Sequence, residues 1–481
     1  MYCLLLNGRE ASHNSLGIES AVERSKSFVS SVEIQIDIGH TSGMGETGRM
    51  ISSTDLPVTV ALKSFGTGMQ RQDEREKEFL LAAAEQGAAY IGIDKPELIS
   101  DTGFLQKVVD SGSGVIYTLY FNGVPGDFVE QVEDAYTLLS GALSRPEKGV
   151  LRADCLLGGV EEAVELCRSA DRLSHIERKL ILGEGQYALF SRLLYKRLGS
   201  LWGYITPEWI EKCGGVRMPD FPDKEPEVFG IIGYPVGHSK SPSIHNRWIE
   251  SLGLNAVYIP FLTDDPQAFF QLAEILPVKG FSVTVPHKET VIPLLDKLEP
   301  PVKKIGACNT VYRKEGKWIG TNTDYEGFLS PLDTFLKAES IHSALVIGAG
   351  GAARTAVHAL CDRGVDVKIC NRTIEKAERL AEEAGGKAVT PEEVNSSGPY
   401  DLLVQTTSVG MEPDVKGDPL PGYRFTGREL VYDIIYTPER TEFLRRAEEE
   451  GCRTLGGRQM LRRQAEAQFR IFTGGKNPPD G

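Results

Sequence analysis

Four short polar segments in the second half of this 481-residue chain carry side chains that could hold an acid and move a proton. In the first, Ser239 and Ser241 precede Pro242, a residue typical of the first turn of a helix, so both hydroxyls can reach one carboxylate. In the second, residues 283–288 (VTVPHK) end a strand in a turn that presents Lys288. Taken alone, these are an ordinary helix cap and a surface lysine.

The third and fourth segments add an amide and a carboxylate. Residues 306–310 (GACNT) present Asn309 at a turn, and residues 320–324 (GTNTD) present Asp324. Either segment alone is ordinary turn chemistry. The four segments become informative only as a series.

A glycine turn between a buried strand and a helix predicts a dinucleotide site. Residues 344–347 form an apolar strand, and Gly348 and Gly350 permit the tight turn and the close backbone approach that a pyrophosphate needs. The N-terminus of the following helix offers unpaired N–H groups and a partial positive charge. Glycine triplets also occur in simple strand–helix turns, but here the flanking strand and helix favour cofactor binding.

The next strand indicates which dinucleotide is bound. It ends at Cys370 and is followed by Asn371, Arg372 and Thr373, with Lys376 one turn further on. An NAD site would place an acidic residue here for the ribose 2′-hydroxyl. A guanidinium instead suits a 2′-phosphate, which arginine can bind through two parallel hydrogen bonds. The pattern predicts NADP over the alternative of a solvated helix start.

These segments need alternating strands and helices to position them. In about the first 220 residues, eight β-rich runs alternate with amphipathic helical stretches, which predicts a parallel (β/α)8 barrel. The runs are residues 3–6, 32–37, 58–63, 90–94, 115–121, 150–153, 180–182 and 201–205. A polar, proline-bearing linker follows, and βαβ alternation then resumes.

The predicted fold class is therefore α/β, a TIM barrel followed by a two-part enzyme. The predicted domains are a barrel at residues 1–220, a linker at 221–228, a substrate-binding domain at 229–330 and a Rossmann NADP-binding domain at 331–481. The C-terminal helices of the last domain are expected to return to the substrate-binding domain.

Composition limits the partners. The formal net charge of −14 disfavours nucleic acid and anionic membranes, so the expected partner is a small molecule, and the oligomeric state stays open. No apolar run approaches the roughly 18 residues of a membrane span. The N-terminal residues have the pattern of a strand and not of a signal peptide. Eight cysteines without a CxxC pair or histidines at metal spacing predict reduced thiols, a cytoplasmic location and no metal.

In their order along the chain, these motifs resemble the shikimate dehydrogenase family from about Phe229 to Phe472. Residues 431–438 (VYDIIYTP) and 457–464 (GRQMLRRQ) complete the series. The resemblance implies NADPH-dependent reduction of 3-dehydroshikimate to shikimate, in chorismate and aromatic amino acid biosynthesis. Quinate dehydrogenase is the alternative within the class, although Ser241, in place of a glycine, favours shikimate. A non-catalytic ligand sensor would not need Lys288 and Asp324.

The resemblance also implies a role for each residue. Lys288 and Asp324 would be the catalytic pair, with the ammonium donating a proton to the ketone oxygen. Ser239 and Ser241 would hold the substrate carboxylate. The pocket around the ring hydroxyls would be formed by Thr284, Asn309, Tyr436 and Gln464. The cofactor would be lined by Gly348, Ala349, Gly350, Gly351, Ala352, Asn371, Arg372, Thr373, Lys376, Ile434 and Gly457.

Two positions depart from the commoner pattern of that family. Ser282 stands where asparagine is frequent, and Gln405 stands where an asparagine usually precedes residues 406–411 (TTSVGM). Neither touches the acid–base pair, so the expected activity is unchanged.

The first region resembles, more weakly, type I 3-dehydroquinate dehydratase, whose product is the substrate of the dehydrogenase. The likeness rests on residues 32–37 (VEIQID), 122–125 (NGVP) and 185–192 (GQYALFSR). That family needs a lysine that forms a Schiff base and a histidine that moves protons. Here the two positions fall on Arg152 and Leu119. A guanidinium stays protonated and cannot act as the amine nucleophile.

The other expected barrel residues are also largely replaced. The substrate-clamping arginines read Gln35 and Lys63, and only Glu33 and Arg192 remain. Lys148 should lie below the barrel, and His40 follows strand two without an amine partner. The sequence therefore predicts a folded barrel without dehydratase activity, kept for binding or scaffolding. The alternative is a bifunctional lyase–oxidoreductase.

Overall fold

The computed structural model describes residues 2–7, 25, 29–36, 48, 51–52, 54–62, 70–206, 225–237, 239–338 and 341–479. By contact density the chain divides into two compact units, Met1–Gly230 with Pro235–Val278, and Ile231–Tyr234 with Lys279–Gly481. Within the described ranges, no helix is long and apolar enough to cross a membrane.

The first unit contains a parallel eight-stranded sheet. Its strands are β1 Tyr2–Asn7, β2 Ser31–Ile36, β3 Val58–Leu62, β4 Tyr90–Ile93, β5 Gly114–Asn122, β6 Gly149–Leu156, β7 Lys179–Glu184 and β8 Gly203–Ile205. The helices of this region are α1 Gln70–Glu85, α2 Pro96–Ile99, α3 Thr102–Asp110, α4 Phe128–Ala142, α5 Val160–Arg172 and α6 Leu189–Leu193, with a 3-10 turn at Pro146–Lys148. The strand order is β7-β6-β5-β4-β3-β2-β1-β8. The barrel prediction is confirmed.

A serine side chain bridges the remaining gap in the barrel, between β7 and β8. Ile181 N donates to Ser200 Oγ at 2.8 Å, and this hydroxyl donates to Ile181 O at 3.2 Å. Leu201 N donates to Lys179 O at 3.0 Å. Because β8 has only three residues, these bonds just ahead of it supply the closure that a longer strand would make with its backbone.

The second sheet has six strands, in the order β10-β9-β11-β13-β14-β12. They are β9 Glu227–Gly233, β10 Ala256–Leu262, β11 Val278–Val283, β12 Lys297–Leu298, β13 Thr310–Lys314 and β14 Lys317–Thr321. Helices α7 Ser241–Ser251, α8 Pro266–Ile275 and α9 Pro300–Ile305 and the 3-10 turn Ile292–Leu294 lie between them in the chain.

The hairpin of β13 and β14 aligns two of the polar segments. Its two-residue turn has positive φ at both Glu315 (54°) and Gly316 (77°), the backbone that a tight antiparallel hairpin requires. This turn sets a register in which Thr310 lies opposite Thr321. The residue before β13 and those after β14 therefore meet at one end of the hairpin.

The third sheet is parallel, in the order β17-β16-β15-β18-β19-β20. Its strands are β15 Ser343–Ile347, β16 Asp366–Cys370, β17 Lys387–Val389, β18 Leu402–Gln405, β19 Leu430–Asp433 and β20 Arg453–Leu455. The helices are α10 Asp324–Ala338, α11 Gly351–Cys361, α12 Ile374–Ala384, α13 Glu442–Glu449 and α14 Arg458–Phe472. This is the doubly wound order whose ligand crevice lies at the carboxyl end of the central strand, here β15. The Rossmann prediction is confirmed.

Candidate active site

Lys288 and Asp324, predicted as a pair from separate motifs, are in direct contact. Lys288 lies in the turn after β11, and Asp324 is the first residue of α10. Lys288 Nζ lies 2.5 Å from Asp324 Oδ2, and the two side chains are 17% and 8% exposed. The N-terminus of α10 favours a negative charge at Asp324. The ammonium is thus held by a charge-assisted hydrogen bond while part of it stays accessible.

Asn309 holds the other oxygen of this carboxylate. Its Nδ2 donates to Asp324 Oδ1 at 2.8 Å and to Thr323 Oγ1 at 3.0 Å. Its Oδ1 accepts from Thr323 N at 2.8 Å and from Thr310 Oγ1 at 2.7 Å. Since a backbone N–H can only donate, the orientation of the Asn309 amide is fixed. One end of the β13–β14 hairpin therefore aims a donor at Asp324.

Asn322 is a structural residue of the site that the sequence argument did not single out. Its Oδ1 accepts from Asp324 N at 3.0 Å, and its Nδ2 donates to Ala307 O at 2.8 Å. It therefore ties residues 306–310 to residues 320–324. The signal was available, because Asn322 lies inside the quoted GTNTD motif.

A buried thiol lies beside the pair without competing for it. Cys308 N donates to Lys288 O at 2.7 Å, and Cys308 Sγ bonds Thr310 O at 3.3 Å. Burial raises the pKa of the Cys308 thiol to about 12. The thiol stays neutral near neutral pH, so Asp324 supplies the negative charge that faces Lys288.

The glycine turn lies against the lysine. Gly348 has φ +120°, and a Cβ there would stand 2.4 Å from Thr406 Oγ1, so only glycine fits. A Cβ at Gly351 would lie 3.2 Å from Lys288 Cδ. At Gly350, which precedes α11, a Cβ would meet no described atom within 4 Å. The turn thus leaves open space for a ligand at the helix N-terminus, next to the Lys288 side chain.

The residues predicted for the 2′-phosphate follow β16, the strand beside the glycine turn. Gly348 N donates to Cys370 O at 2.8 Å. Asn371 Nδ2 donates to Thr373 O at 2.8 Å, which shapes the start of α12. Arg372, Thr373 and Lys376 are exposed there. Two cationic groups are accordingly presented at this edge of the sheet.

Ile434 and Gly457 lie together at the end of β19. A Cβ at Gly457 would stand 2.0 Å from Ile434 O, so glycine is required. The buried Asp433 accepts hydrogen bonds from Thr441 Oγ1 at 2.6 Å and Ile435 N at 2.9 Å. Burial raises the pKa of Asp433 to about 6, against the opposing effect of these bonds. These contacts fix the loop that carries Ile434 and Tyr436.

The remaining substrate candidates occupy separate elements. Thr284 is half-buried, and its N–H donates to Ile232 O at 3.0 Å. Tyr436 is half-buried after β19. Gln464 is buried on α14, where its Nε2 donates to Leu461 O at 3.0 Å. Gly327 lets this helix approach α10, since a Cβ there would lie 2.9 Å from Gln464 Cβ.

The two serines belong to the first unit. Ser241 is buried and begins α7, one residue before the proline expected to open the helix. Ser241 N donates to Ser239 Oγ at 3.2 Å. The Ser239 hydroxyl thus accepts from the first amide of α7, although Ser239 lies one residue before the cap position, and it can still donate its proton to an acid.

Gln405 and Ser282, the two residues that depart from the family pattern, both make well-defined contacts. Gln405 is buried; its Oε1 accepts from Thr407 N at 2.9 Å, and its Nε2 donates to Val409 O at 2.9 Å, so it holds the turn after β18. Ser282 is also buried, and its hydroxyl donates to Gln468 Oε1 at 2.8 Å. Sequence reasoning did not predict Gln468.

The barrel lumen contains a second cation–carboxylate cluster. Arg152 is 3% exposed. Its Nη1 bonds Glu33 Oε1 at 2.8 Å, and its Nε and Nη2 bond the two Asp154 oxygens at 2.8 and 2.7 Å. Tyr204 donates to Glu33 Oε2 at 2.6 Å. Burial lowers the pKa of Arg152, but Asp154 and Glu33 outweigh it and hold that pKa well above its ordinary value.

The strand register corrects one predicted position. Thr118 on β5 pairs with Arg152, whereas Leu119 pairs with Ala153. Thr118 and Tyr120 line the lumen cleft with Arg152, so Leu119 belongs to the opposite face of the strand. The lumen position beside Arg152 is therefore held by Thr118. Neither Thr118 nor Leu119 is a histidine.

The other predicted barrel residues divide into two groups. Lys148 Nζ donates to Gly112 O at 2.8 Å, ahead of β5 and β6, as predicted for the lower face. Gln35 Nε2 donates to Glu33 Oε1 at 3.0 Å, and Arg192 Nη2 bonds Glu184 Oε1 at 2.6 Å. Lys63 and His40 lie outside the described residues.

A doubly wound sheet whose glycine turn abuts a lysine–carboxylate pair defines a dinucleotide-dependent dehydrogenase. The family model for the shikimate dehydrogenase substrate binding domain matches residues 231–311, and the model for shikimate/quinate 5-dehydrogenase matches residues 335–408. The crystal structure of a shikimate dehydrogenase in complex with NADP+ superposes with a TM-score of 0.50 at 33% identity, covering 53% of this chain and 93% of that chain.

Two relatives extend the match. The chloroplastic bifunctional 3-dehydroquinate dehydratase/shikimate dehydrogenase of Arabidopsis thaliana is 33% identical, covering 92% of this chain and 77% of the relative. A shikimate dehydrogenase (NADP(+)) of Oleidesulfovibrio alaskensis is 43% identical, covering 52% of this chain and 91% of the relative. This chain belongs to the shikimate dehydrogenase family, fused to a 3-dehydroquinate dehydratase-like barrel. The predicted family is confirmed.

Proposed function

We propose that this chain catalyses the reversible NADPH-dependent reduction of 3-dehydroshikimate to shikimate, in the formation of chorismate and the aromatic amino acids. One observation carries the proposal. Lys288 is bonded to Asp324 at 2.5 Å, and its side chain packs against the glycine turn at Gly351. A proton donor therefore stands beside the loop that would hold the dinucleotide.

The chain's own residues would orient the substrate and supply the proton. NADPH, when bound, supplies the hydride. Negative charge then develops on the ketone oxygen, and the Lys288 ammonium stabilises it and donates a proton. Asp324 holds the ammonium in place, while Asn309 fixes the carboxylate. In the oxidative direction the same lysine accepts the proton.

The substrate is held by hydroxyls and amides. Ser239 and Ser241 bind the carboxylate, and the ring hydroxyls are bound by Thr284, Asn309, Tyr436 and Gln464. Ser241 favours shikimate over quinate, because its hydroxyl adds a donor for the acid. Quinate remains the alternative substrate, and the ratio of kcat/KM for the two acids decides between them.

The cofactor is bound by the glycine turn and by the edge after β16. Gly348, Gly350 and Gly351, with Ala349 and Ala352, accommodate the pyrophosphate at the N-terminus of α11. Arg372 and Lys376, with Asn371 and Thr373, bind the 2′-phosphate. Ile434 and Gly457 line the remaining wall. The open space beside Gly350 supports this assignment.

We assign the domains as a barrel at residues 1–220, a linker at 221–228, a substrate-binding domain at 229–330 and an NADP-binding domain at 331–481. The net charge of −14 gives no support to a nucleic-acid partner. The seven described cysteines carry free thiols, which supports a reducing, cytoplasmic location.

The barrel is proposed to lack dehydratase activity. The lysine position is held by Arg152, whose three nitrogens are already bonded to Glu33 and Asp154. The Arabidopsis relative carries a bifunctional name, so a bifunctional enzyme is the competing proposal.

One experiment separates these proposals. The purified full chain is given shikimate with NADP+, and separately 3-dehydroquinate, with borohydride trapping of any Schiff base. We expect reduction of NADP+ in the first reaction and no covalent adduct in the second. A trapped adduct would establish the bifunctional alternative, and an inactive first reaction would refute the dehydrogenase.

A further inference from the structure

A buried hydrogen-bond chain behind Asp324 leads to a glutamine outside the quoted motifs. Gln468 lies on α14 and is 1% exposed. Its Nε2 donates to Asn309 O at 3.2 Å and to Thr310 Oγ1 at 3.0 Å, and its Oε1 accepts from Ser282 Oγ at 2.8 Å. Both ends of the amide are therefore bonded to residues of the neighbouring strands β11 and β13 or the turn before them.

The two amides in this chain, Gln468 and Asn309, have their orientations fixed by backbone groups that can play only one role. A backbone carbonyl can only accept, so Gln468 must turn its NH2 group towards Asn309 O. The Thr310 hydroxyl accepts from that NH2 group, which directs its single proton to Asn309 Oδ1 at 2.7 Å. Asn309 Oδ1 also accepts from Thr323 N at 2.8 Å, so the Asn309 NH2 group faces Asp324 Oδ1 at 2.8 Å.

All the donors consequently point towards the carboxylate. Hydrogen bonds aligned in a low-dielectric interior polarise one another, so each strengthens the next. Asn309 occupies Asp324 Oδ1, and Oδ2 is the oxygen that bonds Lys288. If the Gln468 amide were lost, the Thr310 hydroxyl could rotate away. The Asn309 amide would then lose one of the bonds that hold it.

We propose that Gln468 is a positioning residue for the Lys288–Asp324 pair, acting through Thr310 and Asn309. The proposal rests on the dehydrogenase function given above. Ser282 is part of the same hydrogen-bond chain, because its hydroxyl donates to Gln468 Oε1. The serine at this position, in place of the commoner asparagine, therefore has a hydrogen-bond partner on α14.

Gln468→Met tests the proposal by removing both ends of the amide at similar side-chain length. We expect kcat for shikimate oxidation to fall by at least about tenfold, because small displacements of a catalytic group are costly. The KM for NADP+ should stay within about threefold, since the glycine turn is unaltered. The solvent deuterium isotope effect on kcat should rise, because proton transfer becomes more rate-limiting. A merely structural role would lower Tm without changing that isotope effect.

A matched pair at Thr310 tests the same chain independently, and it decides the question if Gln468→Met does not fold. Thr310→Val should reproduce the loss of kcat and the larger isotope effect, whereas Thr310→Ser, which keeps the hydroxyl, should restore both. Glu466→Gln, which removes ion pairs of α14 with Arg462 and Arg463, should leave the kinetics unchanged.

The outcomes that overturn the proposal are distinct. Wild-type kcat and isotope effect in Gln468→Met, or equal kinetics for Thr310→Val and Thr310→Ser, would refute the positioning role alone. A wild-type chain without activity on shikimate would refute the dehydrogenase function and the positioning role together.

Discussion

Each unit holds a cation against one or two carboxylates beside a β-sheet, but the two cations differ in the further bonds that they can make. All three nitrogens of Arg152 are bonded to Glu33 and Asp154 inside the barrel, and the ring of Tyr204 lies 4.5 Å from the guanidinium carbon. Lys288 bonds one oxygen of Asp324 and keeps part of its side chain accessible. A saturated guanidinium stabilises a core, whereas a lysine with a single carboxylate partner can still donate to a substrate.

The barrel cluster also explains how its fold can persist without the expected chemistry. Glu33 and Asp154 are buried, and a buried carboxylate without a partner is costly. Arg152 pairs with both of them through well-formed bonds. The arginine at the predicted nucleophile position thus pairs with the buried carboxylates, so the proposed lack of dehydratase activity is compatible with a folded barrel.

The largest expected effect concerns the accessible cation. Lys288→Ala should lower kcat/KM for shikimate by at least about 100-fold, as for loss of a general acid. Steady-state assays with NADP+ measure this. Lys304→Ala, which removes an ion pair with Asp362 outside the proposed site, should remain near wild type. Near-normal kinetics in Lys288→Ala would show that Lys288 is not the proton donor, and the contrast with Arg152 would then have no catalytic meaning.

The barrel arginine, Arg152, should matter for stability and not for dehydrogenase activity. Arg152→Met leaves Glu33 and Asp154 buried without a cation, and we expect a loss of about 3–5 kcal/mol in the free energy of unfolding. Urea denaturation followed by fluorescence measures this loss. Arg172→Met, which breaks the exposed pair with Glu165, should cost less than about 1 kcal/mol. Equal losses would mean that the lumen cluster has no special stabilising role.

Much of this arrangement could be predicted from local patterns. Each of the eight barrel strands was located to within a few residues, because strand periodicity and the turns between strands are local signals. The contact of Lys288 with Asp324 was predicted through motif order and not through geometry. The glycine turn was predicted because a tight local turn of the backbone favours glycine, here Gly348 and Gly350.

The contacts that could not be predicted join residues that lie far apart in the sequence. Gln468 meets Ser282 and Thr310 only because α14 packs against the second sheet, and no spacing rule connects them. The sequence predicted that the family's histidine position falls on Leu119, whereas the lumen neighbour of Arg152 is Thr118, because successive residues of a strand lie on opposite faces. Only the β5–β6 register identifies Thr118.

A further buried carboxylate, Asp433, extends the comparison, because its bonded partners are uncharged. Burial raises the pKa of Asp433 from 3.8 to about 6, against the hydrogen bonds from Thr441 and Ile435. The folded state therefore binds the proton more tightly than the unfolded state. The stability contributed by protonation is full below about pH 3.8 and is lost as the pH rises through about 6.

For Asp433 the predicted loss is about 3 kcal/mol across that window. Asp433→Asn should abolish it, which thermal unfolding at a series of pH values measures. The pKa of Asp401 is lowered by the bonds from His342 N and Ser343 N, although burial opposes them, so Asp401→Asn should change the pH dependence in the opposite sense. An unchanged profile in Asp433→Asn would show that its burial carries no penalty.

The smallest effect concerns a third arginine environment, the exposed edge after β16. Arg372 is exposed, unlike Arg152, and is therefore available to a phosphate. Arg372→Ala should reduce the ratio of kcat/KM for NADP+ over NAD+ by about tenfold, since a charged hydrogen bond in an accessible site contributes about 1.5 kcal/mol. Arg379→Ala, on the helix that follows Arg372 but paired with Glu383, is the control and should leave the ratio unchanged. Equal use of both dinucleotides by the wild type would show that an exposed guanidinium at this edge does not select the cofactor.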